Sequence, residues 1–175
     1  MTRRPIKALM AAIAMAVALT AGSTASASAV APTSTARAEP SLQCGEKMVN
    51  YSEGRWTYSE ARLCLHTDGE LVRPVLEVEA CQYYWGAAWY NAGNAHKCKI
   101  DFAFTVLGPD GNVVNSGTAE GDATPSAEIF GEPSRCAGSG TYQIRGRYVQ
   151  HGPYWTETSL DSGFRAVNID VPCGG

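Results

Sequence analysis

The sequence predicts an all-β chain, an immunoglobulin-like antiparallel β-sandwich of about seven strands held by three disulfides. Three observations carry this expectation. Apolar residues recur with period two and nowhere sustain a helical period. Turn residues break those runs at short intervals. Six cysteines, an even number, follow an export signal.

The signal comes first in the chain. Arg3, Arg4 and Lys7 form a positive start, Ala8 to Thr20 is an apolar run, and Ala25-Ser26-Ala27 and Ala27-Ser28-Ala29 offer small-residue cleavage sites. The run is shorter than the roughly 20 residues that span a bilayer, so it reads as a signal core and not as an anchor. Adjacent arginines occur in ordinary and in twin-arginine signals, which leaves the export route open. The expected organisation is a signal peptide over 1–29, a flexible arm over 30–43 and one domain over 44–175. Cleavage after Ala29 leaves 146 of the 175 residues, enough for one core. Arg3, Arg4 and Lys7 leave with the signal and no acid does, so the formal charge moves from −3 to −6. With the remaining bases scattered, nucleic acid and anionic membrane are poor partners. A secreted, extracellular product is expected.

The arm, Val30 to Gln43, is polar, small and punctuated by Pro32 and Pro40, with almost nothing to bury. Period two then begins. Leu63 and Leu65 alternate with Arg62, Cys64 and His66; Leu76, Val78 and Ala80 alternate with Glu77 and Glu79; Ile100, Phe102, Phe104 and Val106 alternate with Asp101, Ala103 and Thr105. Pro109-Asp110-Gly111 makes Lys99 to Leu107 and Val113 to Ala119 a hairpin. Tyr142 to Val149 and Phe164 to Val171 read as two late strands joined by a long loop from Gln150 to Gly163. Thr124 to Gly140, with two prolines and three glycines, reads as irregular.

Cys44, Cys64, Cys81, Cys98, Cys136 and Cys173 all lie after the signal, as in a disulfide framework. Spacing alone does not fix their pairing. Strand order favours Cys44 with Cys64, Cys81 with Cys98 and Cys136 with Cys173, each clamping one hairpin-like unit. Zinc is the competing use of cysteine, but no Cys-x-x-Cys occurs and His66, His96 and His151 are far apart. No metal and no cofactor is expected.

Catalytic constellations are equally poor. Gly138-Ser139-Gly140 is not a nucleophile elbow, and Asp161-Ser162-Gly163 is a loop tripeptide. Glu77 and Glu79 share a strand face by spacing, but a solvated acidic strand edge accounts for them better than paired glycosidase acids. Asn50-Tyr51-Ser52 matches the glycosylation pattern, a short one with many chance matches. The chain reads as a non-enzyme.

The aromatic residues stand apart. Tyr83, Tyr84, Trp85, Trp89 and Tyr90 crowd the stretch between Cys81 and Cys98, and Tyr148, Tyr154 and Trp155 recur around the second long loop. Burying one such ring contributes roughly 2 to 3 kcal/mol, so these rings should be covered by something. Either Trp85 and Trp89 cap the sandwich core, or the cluster is a contact surface for a partner.

Gly140-Thr141-Tyr142-Gln143-Ile144 resembles the Gly-x-Tyr strand opening of extracellular immunoglobulin-like domains. The usual cysteine, tryptophan, cysteine spacing of that family is absent, which argues against an inter-sheet core disulfide. The alanine-rich signal, the Thr/Ser/Pro/Ala arm and a six-cysteine β domain ending in Cys173-Gly174-Gly175 resemble small secreted proteins of actinomycetes. Among these the chain is most similar to the adaptor subunit of umbrella toxin particles, which links a lectin-like subunit to a toxin-bearing scaffold. That resemblance implies a secreted, non-enzymatic adaptor whose partners are other secreted proteins and whose arm, Val30 to Gln43, enters a partner's cleft. Contacts are expected from Tyr83, Tyr84, Trp85, Trp89, Tyr90, Tyr154 and Trp155. The alternative is a secreted protease or glycosidase inhibitor presenting Cys81 to Cys98 as a rigid bait; a small hydrolase lacks a nucleophile, a metal site and paired acids.

Overall fold

Each apolar alternation forms a strand, and the turn residues join the strands into two antiparallel sheets. A computed structural model describes residues 39–152 and 159–173. The expected signal peptide, most of the arm, and Tyr154 and Trp155 of the second loop lie outside the described residues. In chain order the strands are β1 (Ser41–Cys44), β2 (Met48–Tyr51), β3 (Thr57–Asp68), β4 (Leu71–Trp85), β5 (Ala88–Asn91), β6 (Cys98–Leu107), β7 (Val113–Ala123), β8 (Ala127–Phe130), β9 (Ser134–Arg135), β10 (Gly140–His151), β11 (Ser159–Asp161) and β12 (Arg165–Val171).

The first sheet has seven strands, ordered β1-β3-β4-β5, with β2 also on β3 and β8 and β9 also on β4. The second has five, ordered β11-β10-β6-β7 with β12 also on β10. The expected Pro-Asp-Gly hairpin is β6–β7. The sequence predicts fewer strands because several are only two to four residues long, and β8 and β9 fall in the stretch expected to be irregular. The ordered domain also starts earlier than expected. Ser41 to Gln43, read as the end of the arm, pair with β3 as far out as Thr67.

Alternate residues of both sheets meet between them. Leu63, Leu65, Leu76 and Val78 of the first sheet face Ile100, Phe102, Val106, Tyr142, Ile144 and Tyr148 of the second in one continuous core. Gly146 lies at the middle of β10, where a Cβ would come within 2.6 Å of Leu63 and 3.0 Å of Phe102. Its missing side chain lets the two sheets approach closely there.

Tyr142 and Tyr148 are fully buried, and each finds partners for its hydroxyl as burial demands. Tyr142 Oη accepts from Ala137 N at 2.7 Å and donates to Gly138 O at 2.9 Å. This reach back ties the start of β10 to the loop that precedes it. Tyr148 Oη donates to Ser59 Oγ at 3.0 Å and accepts from Asn50 Nδ2 at 2.9 Å. Asn50, the head of the glycosylation pattern, therefore spends its amide on the core.

The three bridges pair as strand order favours: Cys44–Cys64, Cys81–Cys98 and Cys136–Cys173. Only the first clamps two adjacent strands, β1 and β3. Cys81 on β4 and Cys98 on β6 are fully buried and join the two sheets. Cys136 follows β9 of the first sheet and Cys173 follows β12 of the second. The expectation of hairpin clamps, and the argument against an inter-sheet bridge, are thus both corrected.

The reason is a bulge. Glu60 pairs with Ala80, but Ala61 pairs with Val78, so β4 carries one extra residue, Glu79. Leu76 and Val78 face the core, and after Glu79 the phase flips, so that Cys81 instead of Ala80 turns inward toward β6. The plain alternation from Leu76 to Ala80 hides that switch.

Candidate functional site

The site lies where two hairpins, β2–β3 and β4–β5, lie side by side. Strand register sets its rows. Tyr51, Tyr58, Gln82 and Asn91 stand opposite one another across β2, β3, β4 and β5. Tyr84 pairs with Trp89, and Tyr84 N donates to Trp56 O at 2.9 Å, which brings Trp56 alongside. Thr57 and Ser59, one residue to either side of Tyr58, are fully buried, so this set faces outward, away from the sandwich core.

The rings of the outward set touch. Centroids are 5.0 Å apart for Tyr51 and Tyr58, 5.4 Å for Tyr84 and Trp89, 5.9 Å for Tyr58 and Trp89, and 6.3 Å for Trp56 and Tyr84. Neighbouring planes lie 50° to 62° apart, the tilted and edge-to-face geometry that ring quadrupoles favour. The second face of the β4–β5 hairpin carries Tyr83 and Tyr90, stacked at 5.7 Å with 24° between planes, with His96 edge-on to Tyr83. Period two therefore divides the five clustered aromatics between two faces, with Trp85 beside the turn formed by Gly86 and Ala87, both at positive φ.

Trp85 is 60% exposed, Trp56 47%, Tyr90 45% and Trp89 39%. Trp85 and Trp89 therefore do not cap the core; Tyr142, Tyr148 and Phe102 fill it. Tyr83 and Tyr84 are half-buried.

The turn from Ser52 to Trp56 is tightly held. Ser52 Oγ accepts from Trp56 N at 3.2 Å and Thr57 N at 2.9 Å, while Ser52 N donates to Thr57 O at 3.0 Å. Gly54 and Arg55 both take positive φ, 70° and 58°, a costly conformation for an arginine. A Cβ on Gly54 would come within 2.9 Å of Trp56 Nε1. The outcome places the Arg55 guanidinium over the Tyr51 ring, 4.6 Å from its centroid, as a cation–π contact.

Charges border this face on one side. Lys47 Nζ lies 2.7 Å from Glu60 and 2.5 Å from Glu79, and Arg62 Nε lies 2.8 Å from Glu79. Tyr58 donates to Glu60, and burial together with that carboxylate pushes its phenol up to about 12. Glu60 is held below the usual carboxylate range, first by Lys47 and then by Tyr58. Glu79 is thus engaged with two cations, and β4 is an interior strand of its sheet, so the expected acidic edge is corrected. Among the described residues, one grouping has metal-type donors, Cys44, Cys64 and Glu77, and both sulfurs are spent in a bridge.

Sequence reasoning reaches Tyr83, Tyr84, Trp85, Trp89 and Tyr90 but misses Tyr51, Arg55, Trp56 and Tyr58. The Trp56-x-Tyr58 spacing would have put those two rings on one strand face; their meeting with Tyr84 and Trp89 depends on strand pairing. No family model, curated protein or solved structure matches this chain. The fold places it among all-β sandwiches, and three disulfides point to an oxidising compartment. Among the described residues no helix is long and apolar enough to cross a membrane.

Proposed function

We propose that this chain is a secreted, non-catalytic protein-binding module, an adaptor in an extracellular assembly of the umbrella-toxin kind its sequence resembles. The observation that carries the reading is the β4–β5 hairpin, which offers Trp85, Trp89 and Tyr90 to solvent immediately after the inter-sheet bridge at Cys81. Large amphipathic rings dominate the binding energy of protein interfaces, and each one buried contributes roughly 2 to 3 kcal/mol. A hairpin anchored at Cys81 and Cys98 loses little freedom on docking, so less of that gain is offset by ordering.

The test is capture of partners from native culture fluid on the tagged mature protein. Other secreted proteins should be retained, and Trp85→Ala combined with Tyr90→Ala should release them. Recovery of a lone monomer would overturn the adaptor reading. The same rigid hairpin favours a second reading, an inhibitor with Cys81 to Cys98 as bait. Loss of a protease or amylase activity at near-stoichiometric ratio, abolished by Trp89→Ala, would select it.

A further inference from the structure

The outward face holds a second opportunity, which shares Trp89 with the hairpin surface but does not rest on the adaptor reading. Tyr51, Trp56, Tyr84 and Trp89 wall an open cleft of about 440 Å³, and Gly54 and Arg55 complete its lining. We propose that this cleft is a saccharide-binding site, taking one sugar ring of a glycan against its aromatic walls.

Size is the first argument, since the volume falls in the range of small-ligand clefts, roughly 300 to 1,000 Å³. Shape is the second. Tyr84 and Trp89 stand at 62° and Trp56 and Tyr84 at 60°, so the walls form corners instead of a flat shelf. A pyranose has C–H faces, slightly positive, that lie against the negative faces of aromatic rings while its hydroxyls stay at the rim.

Charge decides between this ligand and the other guest of aromatic boxes, a quaternary ammonium. Among the described lining residues Arg55 is the one that carries charge, and its guanidinium already sits on Tyr51. A second cation would meet repulsion, with no carboxylate among the described lining residues to offset it. What the cleft offers is donors, from the guanidinium and the Trp56 indole N–H, which suit a ligand rich in oxygen acceptors. Outside the lining but on the same face, next in register to Tyr84 and Trp89, Gln82 and Asn91 form a coupled amide pair, with Gln82 Nε2 donating to Asn91 Oδ1 at 2.8 Å. Side-chain amides donate and accept together, as vicinal hydroxyls require.

The walls are also set before any ligand arrives. Ser52 pins the turn through two backbone N–H groups, and Gly54 leaves the space that the Trp56 indole occupies. A preformed cleft avoids the ordering cost that weakens flexible sites.

The experiment titrates purified mature protein with cellulose-, chitin- and galacturonate-derived hexasaccharides, read by tryptophan fluorescence and calorimetry. At least one should bind saturably with a dissociation constant between about 10 μM and 1 mM. Trp56→Ala should weaken it by about tenfold or more, a loss of roughly 1.4 kcal/mol or more. Arg55→Gly, which keeps the positive-φ backbone and removes the guanidinium, should weaken it as well with an unchanged melting temperature. Trp85→Ala combined with Tyr90→Ala, outside the cleft lining, should bind sugar like the parent while losing protein partners, which separates this site from the hairpin-tip contacts. Absence of saturable binding by all three sugars, binding indifferent to both Trp56→Ala and Arg55→Gly, or binding of a proline decapeptide in place of any sugar would each overturn the proposal.

Discussion

Tyr148 and Trp89 make the instructive pair. Both are large aromatic residues on strands of one domain, yet Tyr148 is sealed between the sheets and Trp89 stands in solvent. Hydrophobicity does not separate them, because tryptophan loses more than tyrosine by exposure. Position does. Tyr148 sits mid-strand on β10, between β6 and β11, with Ser59 and Asn50 of the facing sheet placed to satisfy its hydroxyl. Trp89 lies on β5, a four-residue strand exposed throughout, with its ring on the face turned away from the core. Burial here is decided by what lies opposite a residue: the inward set meets the other sheet, and the outward set does not.

The largest expected break in that contrast is Tyr148→Ala, which empties the core and orphans the partners of its hydroxyl. Denaturant unfolding should register a loss of about 3 to 5 kcal/mol. Removing the sheet-to-sheet bridge with the double substitution Cys81→Ala and Cys98→Ala should cost about 3 kcal/mol under oxidising conditions. Under reducing conditions the parent should fall toward the variant, which separates the bridge from side-chain packing. Ser52→Ala should lower stability by about 1 to 2 kcal/mol, because Trp56 N and Thr57 N lose their acceptor. It should also weaken any ligand of the outward cleft.

A smaller effect belongs to pH. Tyr58 has its phenol pushed up to about 12 in the folded protein, against about 10 in the unfolded chain. Its contribution is complete below pH 10 and fades as pH rises through 12, because the unfolded chain releases that proton first. Unfolding midpoints of the parent should therefore drop more steeply over that window than those of Tyr58→Phe. Smallest of all, Trp85→Ala should leave stability within about 0.5 kcal/mol of the parent, as expected for a ring with most of its surface in water. A loss of about 2 kcal/mol or more at Trp85 would show that an exposed ring of this hairpin is structural and would weaken the comparison.

How far the sequence reaches can be judged from the same residues. Alternation from Ile100 to Val106 announces β6 because every second residue there meets a continuous core. Pro109-Asp110-Gly111 announces its hairpin because Gly111 takes a φ of 78° that the turn needs. The crowding of Tyr83 to Tyr90 is plain in the sequence, but which rings face out depends on the extra residue at Glu79, and no local pattern reports a bulge. The partnership of Trp56 and Tyr58 with Trp89 joins residues about thirty positions apart through pairing in space. Two short strands, β8 and β9, escape notice for a related reason: four and two residues are too few for a period to emerge.

The bulge at Glu79 also ties one disulfide to the register of its strand. A chain that paired β3 with β4 without the extra residue would turn Tyr84 and Trp89 inward and Tyr83 and Tyr90 outward, exchanging the two aromatic faces. The same slip would carry Cys81 to the outside, away from Cys98, and leave two thiols unspent. Oxidation of that one pair thus goes with the register that turns Tyr84 and Trp89 outward, and an inverted hairpin would carry two free thiols in its place.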